Sequence, residues 1–139
     1  MDAVKAKEIM KSPIITASAS ASVEEIARIM RDREIGGVVI EKGGKLCGII
    51  TRKDIVYKVV AEGKDPKKVK AEEIMSKPLI TVDANDNLTE IARKMGKHDI
   101  RRVVVVNRGQ PVGVISDKDV LRVAPEIIEI LSEYLRILR

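Results

Sequence analysis

The chain has 139 residues, of which 45% are hydrophobic and 34% charged, and a net charge of +5 at pH 7. A chain of that size makes one compact domain or two very small ones, and buries about 65–70% of the surface it exposes when unfolded. No apolar run approaches the roughly 18–20 residues of a membrane span, and Met1-Asp2-Ala3-Val4-Lys5 has no signal-peptide core, so a cytoplasmic protein with no membrane partner is expected.

Cys47 and His98 are the single cysteine and histidine, which excludes an internal disulfide and a Cys/His zinc site within one chain. Basic and acidic residues are interleaved, as in Glu24-Glu25 before Arg28, and read mostly as a solvated surface. The densest basic stretch, Lys64 to Lys70, contains Asp65 and Pro66. The only aromatics are Tyr57 and Tyr134, which argues against binding single-stranded nucleic acid by base stacking.

Along the chain, Ala6 to Met10 reads as a short helix that stops before Pro13, because a residue preceding proline avoids the helical region. Ile14-Ile15-Thr16 reads as a short strand. Ser22 and Glu25 form a capping box, and Val23, Ile26, Ala27 and Met30 continue at helical spacing. Val38 to Ile40 is a β-branched strand, Gly43-Gly44 a tight turn, and Leu46 to Ile50 the returning strand. A last helix is predicted from near Thr51 through Val60, ending by Gly63. In the segment that follows, Asp65-Pro66 has the form of an N-cap with proline at the first helical position.

The order then repeats. Residues 6–60 align with 71–125 at a constant shift of 65 without a gap. Glu25-Ile26-Ala27-Arg28 matches Glu90-Ile91-Ala92-Arg93, Pro13 and Thr16 match Pro78 and Thr81, and Lys53-Asp54 matches Lys118-Asp119. Asn87 and Glu90 replace the first capping box, and Asn107-Arg108-Gly109 makes the second hairpin turn. The fold class expected is α+β: two α-β-α-β-β-α repeats, at 1–62 and 71–125, joined by a connector at 63–70. Two copies make a closed pair, not a solenoid. A unit of about 55 residues has a thin core, so the copies are expected to pack as a pseudo-twofold pair with clefts where they meet. Residues 126–139 have no counterpart. Ile127, Ile128, Ile130, Leu131, Tyr134, Leu135, Ile137 and Leu138 give that stretch a broad apolar helical surface, for packing on its own domain or for a homodimer.

Two segments carry candidate chemistry, Gly48-Ile49-Ile50-Thr51-Arg52-Lys53-Asp54 and Gly113-Val114-Ile115-Ser116-Asp117-Lys118-Asp119. Each reads as a strand ending in a hydroxyl residue, with an aspartate three positions on in a helical first turn. Helix capping alone accounts for such a pair. The same geometry offers amide N–H groups to a phosphate and a carboxylate to two vicinal ribose hydroxyls. The set of marks (Ile9-Met10, Pro13, Thr16, the hairpin with Gly48, Thr51/Asp54), repeated in order in the second copy, resembles a tandem CBS-domain protein, or Bateman module, over residues 6–125.

That resemblance implies a flat disc, a CBS pair with two adenosine-type sites in its cleft. Asp54 and Asp119 would hold ribose, and Thr51 and Ser116 would contact ribose or phosphate. Ile15-Thr16 with Ile35-Gly36-Gly37, and Ile80-Thr81 with Ile100, would cradle adenine. Where the first copy has Gly36-Gly37 the second has Arg101-Arg102. Basic residues at those positions reach phosphates across the cleft in nucleotide-binding members. Arg101 and Arg102 would thus clamp the phosphate of a ligand whose nucleoside rests on Thr51 and Asp54, and the second cleft would bind phosphates less well.

The expected function is regulatory binding of AMP, ADP or ATP as a signal, with no obligatory cofactor and output through a separate effector protein. S-adenosylmethionine or methylthioadenosine is the rival ligand of the same class, and nucleic-acid binding by the basic surface the rival of another. No catalytic residues are assigned, because a nucleophile beside a base, a metal set or carboxylates in separated environments are all lacking.

Overall fold

The computed structural model describes residues 4–123 and Glu133. The predicted C-terminal helix at 126–139 lies outside the described residues apart from Glu133. Among the described residues, thirteen segments follow in order: α1 (Ala6–Ile9), β1 (Thr16–Ser18), α2 (Val23–Arg33), β2 (Gly37–Lys42), β3 (Lys45–Thr51), α3 (Arg52–Ile55) continuing as a π-helical stretch (Val56–Val60), α4 (Ala71–Ile74), β4 (Thr81–Asp83), α5 (Leu88–His98), β5 (Arg102–Asn107), β6 (Gln110–Ser116) and α6 (Asp117–Val123). Among the described residues, no helix is long and apolar enough to cross a membrane.

The elements form two three-stranded sheets of like design, β1-β2-β3 and β4-β5-β6. The first strand runs parallel to the second and the third antiparallel to it, with Thr16 opposite Val39 and Gly37 opposite Thr51 in one sheet, and Thr81 opposite Val104 and Arg102 opposite Ser116 in the other. Each hairpin has a bulge at the same place, Ile40/Glu41 and Val105/Val106. The tight turns need left-handed backbone, at Gly43 and Gly44 (φ 59° and 83°) and at Arg108 and Gly109 (φ 51° and 78°). The long helices start on the predicted caps, Ser22 and Asn87 accepting from the Glu25 and Glu90 amides.

The compact units are offset from the sequence repeats. One is Ile15–Leu79; the other combines Met1–Ile14 with Ile80–Arg139. The leading segment of each repeat is therefore packed into the unit that holds the other repeat's sheet. In the unit of residues 15–79, the Ala71 and Glu72 amides donate to the Ala21 and Ala19 carbonyls (2.8 and 3.0 Å), and Ser76 pairs with Ile49 on the outer edge of β3. In the split unit, the Ala6 and Lys7 amides donate to Asp86 and Ala84 (2.8 and 3.0 Å), and Lys11 pairs with Val114 on β6. These pairings cover sheet edges that would otherwise expose unpaired amides and carbonyls.

Each unit has its own core. Ile26, Val38, Ile40, Ile50, Val59 and Ala71 are fully buried in one; Ala6, Leu88, Ile91, Met95, Val105, Ile115 and Val120 in the other. A fully buried aliphatic side chain contributes about 1.5–3 kcal/mol.

Three local expectations differ from the structure. The first strand is Thr16–Ser18 and not Ile14–Thr16, because Thr16, Ala17 and Ser18 are the residues that pair with Val39, Ile40 and Glu41. The helix after Thr51 keeps α geometry only to Ile55 and then widens to the π form. Asp65 caps a single turn instead of a helix: its carboxylate accepts from the Lys67 amide (2.9 Å) and its carbonyl from Lys68 and Val69 (3.0 and 3.1 Å). Lys70 instead enters an isolated bridge with Ser22 and the N-terminus of α4.

Candidate functional site

Each sheet brings the starts of its first two strands and the end of its third to one edge. At that edge of β1-β2-β3 lie Ile15 and Thr16, then Ile35, Gly36 and Gly37, and then Thr51. The Ile15 carbonyl accepts from the Val39 amide (3.2 Å) and the Gly36 carbonyl from the Arg52 amide (3.3 Å), which ties the three segments together. Thr16 is exposed, and Ile15, Ile35, Gly36, Gly37 and Thr51 are half-buried. In the split unit, Ile80 and Thr81, Ile100, Arg101 and Arg102, and Ser116 make the same edge, closed by the Val104 amide on the Ile80 carbonyl (3.0 Å) and the Asp117 amide on the Arg101 carbonyl (2.9 Å). With Asp54 and Asp119, three residues past Thr51 and Ser116, these two sets of six become sets of seven that hold all fourteen residues singled out from the sequence, one set per unit. Arg101 and Arg102 belong to the unit of Ser116 and Asp119, where the other unit has Gly36 and Gly37.

The strand-to-helix junctions are closed boxes. Thr51 has extended backbone and caps α3. One oxygen of Asp54, Oδ2, accepts from the Thr51 amide (2.9 Å) and the Thr51 hydroxyl (3.2 Å). The Thr51 hydroxyl in turn accepts from the Asp54 amide (3.4 Å). Asp119 Oδ2 accepts likewise from the Ser116 amide and hydroxyl (2.8 and 3.0 Å), and the Asp119 amide donates to Ser116 Oγ (3.3 Å). The capping role is thus realised in both copies. Both carboxylates are nearly buried, at 6% and 5% exposure, which demands partners for their charge.

Those partners come from residues that the sequence did not single out. Asp54 Oδ1 accepts from the Ser76 hydroxyl (2.9 Å) and forms an ion pair with Lys58 Nζ (2.9 Å). Lys58 also donates to the Ile74 carbonyl (2.9 Å) and to Ser76 Oγ (3.4 Å). Asp119 Oδ1 pairs with Arg122 (3.1 Å) and with Lys11 (3.5 Å). Lys58 lies four residues past Asp54, a spacing that signals a helical ion pair. Ser76 and Lys11 are distant in the chain and carry no such signal. Asp117 is a further buried acid, 7% exposed, whose Oδ1 accepts from the Lys118 amide (2.8 Å), and its counterpart Arg52 is exposed. Cys47 is a half-buried thiol that donates to the Ile40 carbonyl (3.4 Å) and lies 3.8 Å from the Met75 sulfur. Among the described residues, no group of three or more His, Cys, Asp or Glu is placed to hold a metal ion.

Two sheets of one design, each ending in a hydroxyl–carboxylate box at a helix start, mark a duplicated α+β unit. The family model for the CBS domain matches residues 6–61 and 71–126, and the chain belongs to the CBS-domain family as a tandem pair of the sensor type. It is 37% identical over 138 residues to an uncharacterised protein of Methanopyrus kandleri, covering 98% of this chain and 70% of that one. Among solved structures it is similar to a hexameric CBS-CP12 protein from bloom-forming cyanobacteria, with a TM-score of 0.78 and 35% identity over 85% of this chain and 66% of that one. A CBS-domain protein of unknown function from Thermoplasma acidophilum has the same fold, with a TM-score of 0.86 at 22% identity over 96% of this chain and 77% of the other.

Proposed function

We propose that this CBS pair is a non-catalytic, cytoplasmic receptor for an adenine nucleotide, AMP, ADP or ATP, and that it signals occupancy to a separate effector protein. The observation that carries the reading is the duplicated box of hydroxyl and near-buried aspartate, Thr51/Asp54 and Ser116/Asp119, at the edge where half-buried isoleucines and the strand ends gather. A carboxylate there is an acceptor pair for a vicinal diol, the isoleucines give an apolar bed for a purine, and Arg101 and Arg102 bring positive charge suited to phosphate. Binding would stabilise one arrangement of the module over another, and only a ligand with differential affinity for the two can shift them. Self-association is part of the proposal, and the hexameric state of the cyanobacterial relative is consistent with it.

Calorimetry on the full chain with AMP, adenosine, S-adenosylmethionine and methylthioadenosine tests this. Asp54→Asn and Asp119→Asn each remove a charged acceptor, and the loss of one charge-assisted hydrogen bond weakens binding at the altered site by about 10- to 150-fold. Preference for the sulfur-containing nucleosides over AMP would replace the phosphate part of the reading. Salt-sensitive binding to a generic duplex that follows Lys64, Lys67, Lys68 and Lys70 instead of Asp54 would replace it altogether.

A further inference from the structure

The carboxylate at the first box is already full. Asp54 receives the Thr51 amide and hydroxyl on one oxygen and the Ser76 hydroxyl and Lys58 ammonium on the other. A carboxylate has about four acceptor sites, so a ligand hydroxyl finds none open until a resident donor leaves. The Thr51 amide is fixed by the backbone, and the Thr51 and Ser76 hydroxyls sit on short side chains. Lys58 alone reaches Asp54 on a long stem, and its side chain is 45% exposed.

The second repeat solves the same problem with different residues. Arg122 and Lys11 reach Asp119 Oδ1 there. At the constant shift of 65, Lys58 corresponds to Val123, Arg122 to Tyr57 and Lys11 to Ser76. The cations are therefore not one duplicated position carried along with the scaffold. Each copy brings its own onto the equivalent oxygen, as a nearly buried carboxylate requires.

We propose that Lys58 is a built-in competitor for the ligand at Asp54: its ammonium occupies the acceptor position that a ligand hydroxyl takes, and binding requires it to swing out. This deepens the nucleotide reading and rests on it. Lys58 thereby sets the concentration at which the site responds, because apparent affinity is scaled by the fraction of molecules in which the carboxylate is open. Lys58 is a positioning residue that acts through Asp54.

The test is calorimetry with adenosine, which has the vicinal hydroxyls and no phosphate to be drawn to a lysine. Full-length wild type is compared with Lys58→Met, Lys58→Gln and Lys58→Arg, each checked for folding by circular dichroism. Removal of the ammonium is expected to tighten adenosine binding about tenfold in both neutral variants, and Lys58→Arg, which keeps a cation in reach, to restore an affinity near wild type. A merely structural lysine would not give tightening that the arginine reverses. Wild type binding adenosine with unchanged or weaker affinity in both neutral variants overturns the competitor and leaves the nucleotide reading standing. Adenosine binding to none of the four proteins overturns the nucleotide reading, and the competitor with it.

Discussion

Met75 lies against the Cα of Gly48, so close that a β-carbon at Gly48 would stand 2.7 Å from the Met75 sulfur. The Ser76 carbonyl would be 3.0 Å away, and Met10 with the Lys11 carbonyl closes over Gly113 in the same manner, at 2.6 and 3.0 Å. Thioether chains adapt, but the carbonyl is held by its edge pairing to the strand. Gly48→Ala and Gly113→Ala are each expected to cost about 1–3 kcal/mol. Denaturant melts measure this, and Met75→Ala should recover only part of the Gly48→Ala loss because the carbonyl stays in place.

Ala6 is fully buried among Leu88, Ile91 and Val120, residues of the other sequence repeat. Ala6→Glu places an unpaired carboxylate there, and a loss of about 3–5 kcal/mol is expected. Hydrogen exchange locates the damage: protection should fall in β4, β5 and β6 before β1, β2 and β3. The reverse order would contradict the packing of the leading segment.

Glu34 and Asp99 end the two long helices in left-handed backbone, at φ 53° and 51°. A side chain is disfavoured in that region, and glycine is the usual residue there. Glu34→Gly and Asp99→Gly are expected to stabilise by about 0.5–1 kcal/mol each, read as a higher melting temperature.

The proposed phosphate role of Arg101 and Arg102 is tested by varying the charge of the ligand. If they bind phosphate, the double alanine variant loses about 10- to 150-fold in affinity for AMP and keeps that for adenosine within about twofold. Equal losses for both ligands would point to a structural role for the pair.

Much of the candidate site was legible because it is local. Thr51 and Asp54 are three residues apart, and a helix start brings such a pair together without outside help. The hairpin turns and the Ser22 and Asn87 caps follow from short-range rules, whereas the gathering of Ile15, Ile35 and Thr51 at one edge rests on the parallel pairing of β1 with β2 across α2 and was implied only by the family resemblance. The π-helical stretch at Val56–Val60 was not legible, since its sequence is compatible with an ordinary helix. Nor was the crowding over Gly48, which depends on Met75 from a later segment.

The sequence by itself determined the duplication, the strand and helix order, and the two hydroxyl–aspartate pairs, because each is set by neighbours a few residues apart or by a constant shift. Tertiary structure alone decided which repeat each leading segment joins and what neutralises each aspartate. Ser76 reaches Asp54, and Lys11 reaches Asp119, only because the residues that follow α4 and α1 pair with the outer edges of β3 and β6. Edge pairing between distant segments and the need to match a nearly buried charge are long-range conditions that no local pattern encodes.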